Sequence, residues 1–108
     1  MAYGNDNIMG MGRTIWTAFT TTESLALSGG ARAVLLRATA ACWVKAGTGA
    51  QTVVKPTDGA AVNDGTFFLP ANQDRIINVS GTDAAPWYVG VLQDSSGGNL
   101  YITELLEL

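Results

Sequence analysis

Acidic side chains are the residues of this chain most suited to chemistry, because the sequence contains nine Asp and Glu residues and no histidine. Without histidine, Ser-His-Asp and Cys-His catalysis are excluded and the commonest zinc ligand is missing. Two converging carboxylates would suit glycoside hydrolysis, which needs a cleft between them. All the acids except Glu104 fall in predicted loops, termini or strand edges, and 108 residues offer little material for a cleft. We therefore predict that the protein is not an enzyme.

Three other motifs are of types that can bind a ligand, but each has a simpler structural explanation. Asp58-Gly59 and Asn63-Asp64-Gly65 offer loop oxygens for calcium, but the spacing is not that of an EF-hand and both are ordinary turn signals. Gly10-Met11-Gly12 precedes a predicted strand, whereas a dinucleotide-binding glycine motif follows one. Cys42 lies in an apolar run, which is typical of a buried thiol. We predict no metal and no cofactor.

The composition favours a protein that associates with something else. Hydrophobic residues make up 47% of the chain and charged residues 14%, whereas ordinary soluble domains carry about 25% charged residues. A permanent interface, such as that of a homo-dimer or homo-trimer, would bury the surplus apolar surface. The alternative is that abundant alanine inflates the hydrophobic fraction without creating such a surface.

Charge and hydropathy patterns argue against two classes of partner. The net charge is −3 and the six basic residues are scattered, so no basic stripe is present to neutralise a nucleic-acid backbone. No run approaches the roughly 18 apolar residues that span a membrane, and residues 1–12 lack the basic and apolar regions of a signal peptide. We expect neither nucleic-acid nor membrane binding.

Short β-favouring runs separated by glycine and proline turns predict the fold. Seven or eight strands recur at intervals of roughly ten residues without a long helix, which indicates a small antiparallel β-sandwich or jelly roll. The predicted strands begin at Arg13, and residues 20–30 are predicted to be a loop. Residues 51–55 are predicted to form a short strand. The domain prediction is a flexible N-terminal arm at residues 1–12 and a single β-domain at residues 13–108.

Two segments carry the strongest patterns. In residues 31–45 the apolar side chains alternate with period two, which predicts either one long bent strand or two strands broken near Ala40-Ala41. Residues 87–93 and 99–105 are β-favouring runs joined by Asp94-Ser95-Ser96-Gly97-Gly98, which predicts a β-hairpin.

Three groups of apolar residues are candidates for an interface. The arm carries exposed apolar side chains, Trp43 shares its strand face with Arg37 and Lys45, and the leucines near the end of the chain are too apolar for a free tail. Core packing is the expected role of most other aromatic residues. The candidate interface residues are Ile8, Met9, Met11, Trp43, Leu105, Leu106 and Leu108.

Residues 31–44, with ARAVLLRATAACWV, and residues 66–105, with FFLPA and VGVLQDSSGGNLYITEL, resemble small virion proteins of tailed bacteriophages. The resemblance is to head decoration or cement proteins. It implies a structural protein that is made in the host cytoplasm, binds the major capsid protein on the capsid exterior and bridges neighbouring capsomers. Residues 1–12 and 57–65 fall outside it.

Two other functions remain open at this point. A carbohydrate-binding or adsorption module of a phage tail or fibre would stack Trp43 or Trp87 on a sugar ring. An enzyme acting through paired carboxylates would depend on two of the nine acids, and it is the reading that the sequence favours least.

Overall fold

The chain forms a two-layered β-sandwich. The structure is a computed structural model that describes the backbone of residues 9–107 and the side chains of residues 10–106. Its eight strands are β1 (Met9–Phe19), β2 (Glu23–Ala26), β3 (Ala31–Ala38), β4 (Cys42–Thr48), β5 (Phe67–Leu69), β6 (Arg75–Asn78), β7 (Trp87–Gln93) and β8 (Gly98–Glu107). This confirms the predicted all-β fold.

Two four-stranded antiparallel sheets make up the layers. Sheet A has the strand order β1-β8-β3-β6, and sheet B has the order β2-β7-β4-β5. In the described chain, only the β4–β5 connection joins two strands of one sheet, and every other connection crosses between the sheets. This order is that of an eight-stranded jelly roll, in which the crossing connections hold the two layers together.

The core lies between the sheets and is built from alternating side chains. Val34, Leu36, Leu100 and Ile102 of sheet A face Val44, Leu69, Val89 and Val91 of sheet B, and all are buried. Each strand therefore has one inward face, as the period-two pattern predicted. The break near Ala40-Ala41 is confirmed: β3 ends at Ala38 and β4 begins at Cys42, in the other sheet.

The predicted C-terminal hairpin is wrong. β7 pairs with β2 and β4 in sheet B, whereas β8 pairs with β1 and β3 in sheet A. Gly97 and Gly98, in the connection between β7 and β8 and at the start of β8, are needed because other parts of the chain pass close to them, not because they form a tight hairpin turn. A Cβ on Gly97 would lie 2.7 Å from the carbonyl oxygen of Phe19, and one on Gly98 would lie 2.8 Å from Oγ1 of Thr39.

Three predicted boundaries also need correction. β1 begins at Met9 rather than at Arg13, because residues 9–11 pair with residues 105–107 of β8. Glu23–Ala26, predicted to be part of a loop, is strand β2, which pairs with residues 88–91. Residues 51–55 form no strand, because the amides of Gln51 and Val53 donate to the hydroxyls of Ser24 and Thr22 instead of to a backbone ladder.

Candidate functional site

The outer face of sheet A is rich in exposed apolar side chains. The pairing register places Trp16 of β1 beside Tyr101 of β8, and Leu35 of β3 beside Ile76 of β6. Trp16 is 59% exposed, Tyr101 40% and Ile76 60%, while Leu35 is half-buried. These four residues span all four strands of the sheet, and we call this surface the bare face.

Trp16 and Tyr101 form a pair of aromatic rings on the bare face. Their ring centroids are 6.3 Å apart and the ring planes are inclined by 33°. This separation lies within the range in which aromatic rings attract each other, so each ring helps to fix the position of the other. The pair therefore presents an ordered aromatic surface.

Polar groups stand beside the apolar pairs on the bare face, since Arg37 opposes Tyr101 and Thr103 opposes Leu35. Nη1 of Arg37 lies 3.0 Å from Oδ1 of Asp74, and both side chains are about half exposed. An exposed ion pair of this kind stabilises the fold by at most about 1 kcal/mol. The hydroxyls of Thr14 and Thr103 lie 3.0 Å apart on the neighbouring strands β1 and β8. The surface thus combines aromatic, aliphatic and arginine side chains, the types enriched at protein interfaces.

Part of the outer face of sheet B is covered by the chain itself, while Phe68 of β5 remains 41% exposed. The connection between β4 and β5 runs from residue 49 to residue 66, and its segment Gln51–Val53 crosses β7 at Gly90. A Cβ on Gly90 would lie 2.8 Å from Cβ of Gln51 and 3.0 Å from Cγ2 of Val53, so glycine is required for this close approach. We call this surface the covered face.

Hydrogen bonds and ion pairs hold the connection on sheet B. Oδ2 of Asp64 lies 3.2 Å from Nζ of Lys45, and Oδ1 of Asp94 lies 3.1 Å from Nζ of Lys55. Hydrogen bonds from Thr66, together with Lys45, lower the pKa of Asp64. The indole N–H of Trp43, followed by Lys55, lowers the pKa of Asp94. Both carboxylates are therefore held in their charged form.

A buried carboxylate connects the two sheets at one end of the sandwich. Glu104 is 1% exposed, and its Oε2 accepts hydrogen bonds from Nε of Arg13 at 3.1 Å and from the amide of Ser28 at 2.8 Å. Nη2 of Arg13 donates to the carbonyl oxygen of Ala26 in β2. The group is thus paired and hydrogen-bonded, as a buried charge must be to be tolerated.

The predicted interface residues do not form one surface. Met11 and Leu105 are cross-strand partners on the outer side of sheet A, where Met11 is exposed and Leu105 is buried. Leu106 is half-buried, and its Cγ would lie 3.3 Å from a Cβ on Gly12. Trp43 lies on the opposite side of the molecule, on sheet B. Ile8, Leu108 and the side chain of Met9 fall outside the described residues.

Trp43 is held by its neighbours on sheet B. Its indole N–H donates to Oδ1 of Asp94 at 3.0 Å, and its ring packs edge-on against Phe68 with 5.2 Å between centroids. Trp43 thus contacts other residues of this chain on two sides. It is half-buried, so only part of the ring remains available to another molecule.

Sequence reasoning missed the residues that make the bare face. Core packing was the prediction for most aromatics, and it is wrong for Trp16 and Tyr101 on the bare face and for Phe68 on sheet B, which are exposed. The available signal was parity: Trp16 alternates with the inward-facing Ile15 and Thr17, and Tyr101 alternates with the core residues Leu100 and Ile102. Because successive side chains of a strand face opposite ways, inward-facing neighbours place these rings on the outer face of the sheet.

The other motifs have structural roles. Gly59 and Gly65 have φ values of 77° and 86°, the left-handed conformation that glycine adopts in turns. Burial raises the pKa of the Cys42 thiol to about 12. Within residues 9–107 there is no cluster of three metal-ligating side chains, no pocket, and no helix of the length and apolarity needed to cross a membrane.

Comparison with known proteins yields no match for this chain: no protein-family model, curated protein or solved structure resembles it at a significant level.

Proposed function

We propose that this protein is a structural virion protein that binds the outer surface of a bacteriophage capsid and bridges neighbouring capsomers. The bare face carries the proposal, because several large apolar side chains exposed on one face of a small domain are typical of a protein–protein contact. The sequence resemblance to decoration proteins suggests the major capsid protein as the partner.

The proposed mechanism is stabilisation by differential binding. A protein that binds the expanded capsid and not its precursor stabilises the expanded form, and the stabilisation grows with the logarithm of the free protein concentration once that concentration exceeds the Kd. Many copies on one lattice would add their effects, and a copy that touches two capsomers would resist their separation. The jelly-roll core supplies the rigidity that such a bridge needs.

A binding assay with matched variants tests the proposal. The assay measures sedimentation of the protein with expanded and unexpanded capsids of the encoding phage, prepared without this protein. Ile76→Glu places a charge in the bare face, and burial of a side chain of this size is worth about 1.5–3 kcal/mol. We therefore expect binding to the expanded capsid to weaken by about 10-fold to 100-fold.

Val54→Glu is the matched control. Val54 is 58% exposed, close to the value of Ile76, but it lies in the β4–β5 connection on the sheet B side of the molecule. We expect this variant to bind like the parent protein. Equal weakening by the two substitutions, or no binding of the parent protein to expanded capsids, would refute the proposal.

One observation favours a second candidate, the carbohydrate-binding module. The Trp16–Tyr101 pair offers exposed ring faces for stacking on a sugar, whereas Trp43 is engaged by Asp94 and Phe68, and Trp87 packs against the core. A glycan array on the parent protein tests this candidate. It requires a positive signal that Trp16→Ala abolishes, and Trp43→Ala would then have the smaller effect.

A further inference from the structure

We propose that β1 pairs with β1 of a second copy of this chain, antiparallel and about a two-fold axis at Trp16. The two copies of sheet A would then form one eight-stranded sheet. Among the described residues, β1 pairs with β8 on one side and with no strand on the other. An unpaired strand edge offers N–H and C=O groups to another chain.

The other three sheet edges are short, and each has a charge or a proline at one end, which for β2 is Glu23. β5 has three residues and is followed by Pro70, and β6 has four residues and begins with Arg75. β2 has four residues, and its Ser24 hydroxyl bonds the amide of Gln51. By contrast, residues 14–19 of β1 contain no proline, no glycine and no charge. Charges and prolines are the usual means by which edges are protected, so the β1 edge is the one left open.

Hydrogen bonds of β8 show which groups of β1 are free. Both backbone groups of Asn99 bond to Thr39, on the β3 side. Because backbone groups alternate sides along a strand, those of Leu100 and Ile102 point toward β1, where their partners are Thr17 and Ile15. The backbone groups of Thr14, Trp16 and Ala18 therefore point away from β8, toward the open edge, where the carbonyl oxygen of Ala18 accepts a hydrogen bond from the hydroxyl of Thr17 at 3.0 Å.

This edge is complementary to itself. With the axis at Trp16, the two tryptophans oppose each other, and Thr14 of each copy opposes Ala18 of the other. Arg13 opposes Phe19, so no charge in this segment faces a like charge. The two Trp16 side chains would meet on the bare face with Cβ atoms about 5 Å apart, which would bury rings that are exposed in the single chain.

The size of the contact sets the expected strength. Two tryptophans bury about 150–250 Å² each, which together with six-residue backbones falls below the roughly 1,200 Å² of a stable complex. We therefore expect a dimer that dissociates on dilution. On a capsid lattice, linking two copies would raise their effective concentration for neighbouring sites.

Analytical ultracentrifugation of the purified chain over a range of concentrations tests the proposal without any capsid. The parent protein should show a monomer–dimer equilibrium. Ala18→Pro removes an N–H from the open edge and leaves the ladder to β8 intact, so this variant should remain monomeric. The control Ala61→Pro, at an exposed position of the β4–β5 connection, should dimerise like the parent.

Disulfide cross-linking tests the register even if Ala18→Pro fails to fold. Thr14→Cys mixed with Ala18→Cys should form a cross-linked dimer under mild oxidation, because opposed residues of two paired strands lie within disulfide reach. Neither variant alone should cross-link efficiently, since two copies of one site are offset by four residues along the strands. A parent protein that stays monomeric at all concentrations, or cross-linking that ignores the pairing of variants, would overturn the proposal.

Discussion

The two sheets of this sandwich each have four antiparallel strands, but their outer faces differ in how much of them the rest of the chain covers. On the covered face, the β4–β5 connection lies across sheet B, Gly90 makes room for it, and ion pairs of Lys45 and Lys55 hold it in place. On the bare face, the described chain leaves Trp16, Tyr101 and Ile76 exposed. Substitutions on the covered face should therefore alter folding, and substitutions on the bare face should alter association.

Undocking the connection should give the largest loss of stability. Val53 is 3% exposed, and Val53→Asp would bury an unpaired charge unless the connection leaves the sheet. We expect the free energy of unfolding to fall by about 1.5–3 kcal/mol, the value of burying a valine side chain. Urea denaturation measures the loss, and limited proteolysis should show new cleavage within residues 49–66. The neighbouring Val54→Asp, at an exposed site, should change stability by less than about 0.5 kcal/mol.

A methyl group under the connection should have a smaller effect. Gly90→Ala places a Cβ 2.8 Å from Cβ of Gln51, so the segment Gln51–Val53 must shift outward. Such overpacking typically costs about 1–3 kcal/mol, and partial relaxation of an exposed connection favours the lower end. Thermal unfolding measures the change. Gly30→Ala is the control, because a Cβ there meets no atom within 4 Å. A result in which both alanines are neutral would show that the connection is not closely docked.

Acid should weaken the covered face by a smaller amount. The indole N–H of Trp43 and the ammonium group of Lys55 lower the pKa of Asp94 from its ordinary value of 3.8. A carboxyl group whose pKa is lower in the folded state stabilises the fold above its unfolded pKa, and this contribution is lost as the pH falls through the folded value. We expect Asp94→Asn to have a flatter decline of melting temperature below pH 3.8 than the parent protein. Equal slopes for the two proteins would contradict this prediction.

The strands were predictable from sequence because their signals are local. Alternation in residues 31–45 marks buried side chains whichever sheet a strand belongs to, and Val34, Leu36, Cys42 and Val44 are all buried as the pattern indicated. The assignment of strands to sheets was not predictable in this way. A turn between two apolar runs can form a hairpin or cross between layers, and the choice depends on which distant strands offer partners, as β1 and β3 do for β8.

The candidate site was only partly predictable. Period two places Trp16 and Ile76 on outward faces, but it does not reveal whether another part of the chain covers them. The connection lies on sheet B because the amides of Gln51 and Val53 donate hydrogen bonds to the hydroxyls of Ser24 and Thr22. These contacts leave no periodic pattern in the sequence. The predicted interface residue Trp43 has the same outward parity as Trp16, yet it packs against Phe68 and bonds to Asp94.

The position of β8 also has a consequence for the order in which the protein is made. β8 lies between β1 and β3 in sheet A, and β7 lies between β2 and β4 in sheet B. A ribosome therefore releases the edges of each sheet before it has synthesised the centre. Neither sheet can be completed until residues 87–107 have left the exit tunnel, so the chain folds after this region is synthesised rather than strand by strand. We expect folding at the slow rate typical of long-range β pairing.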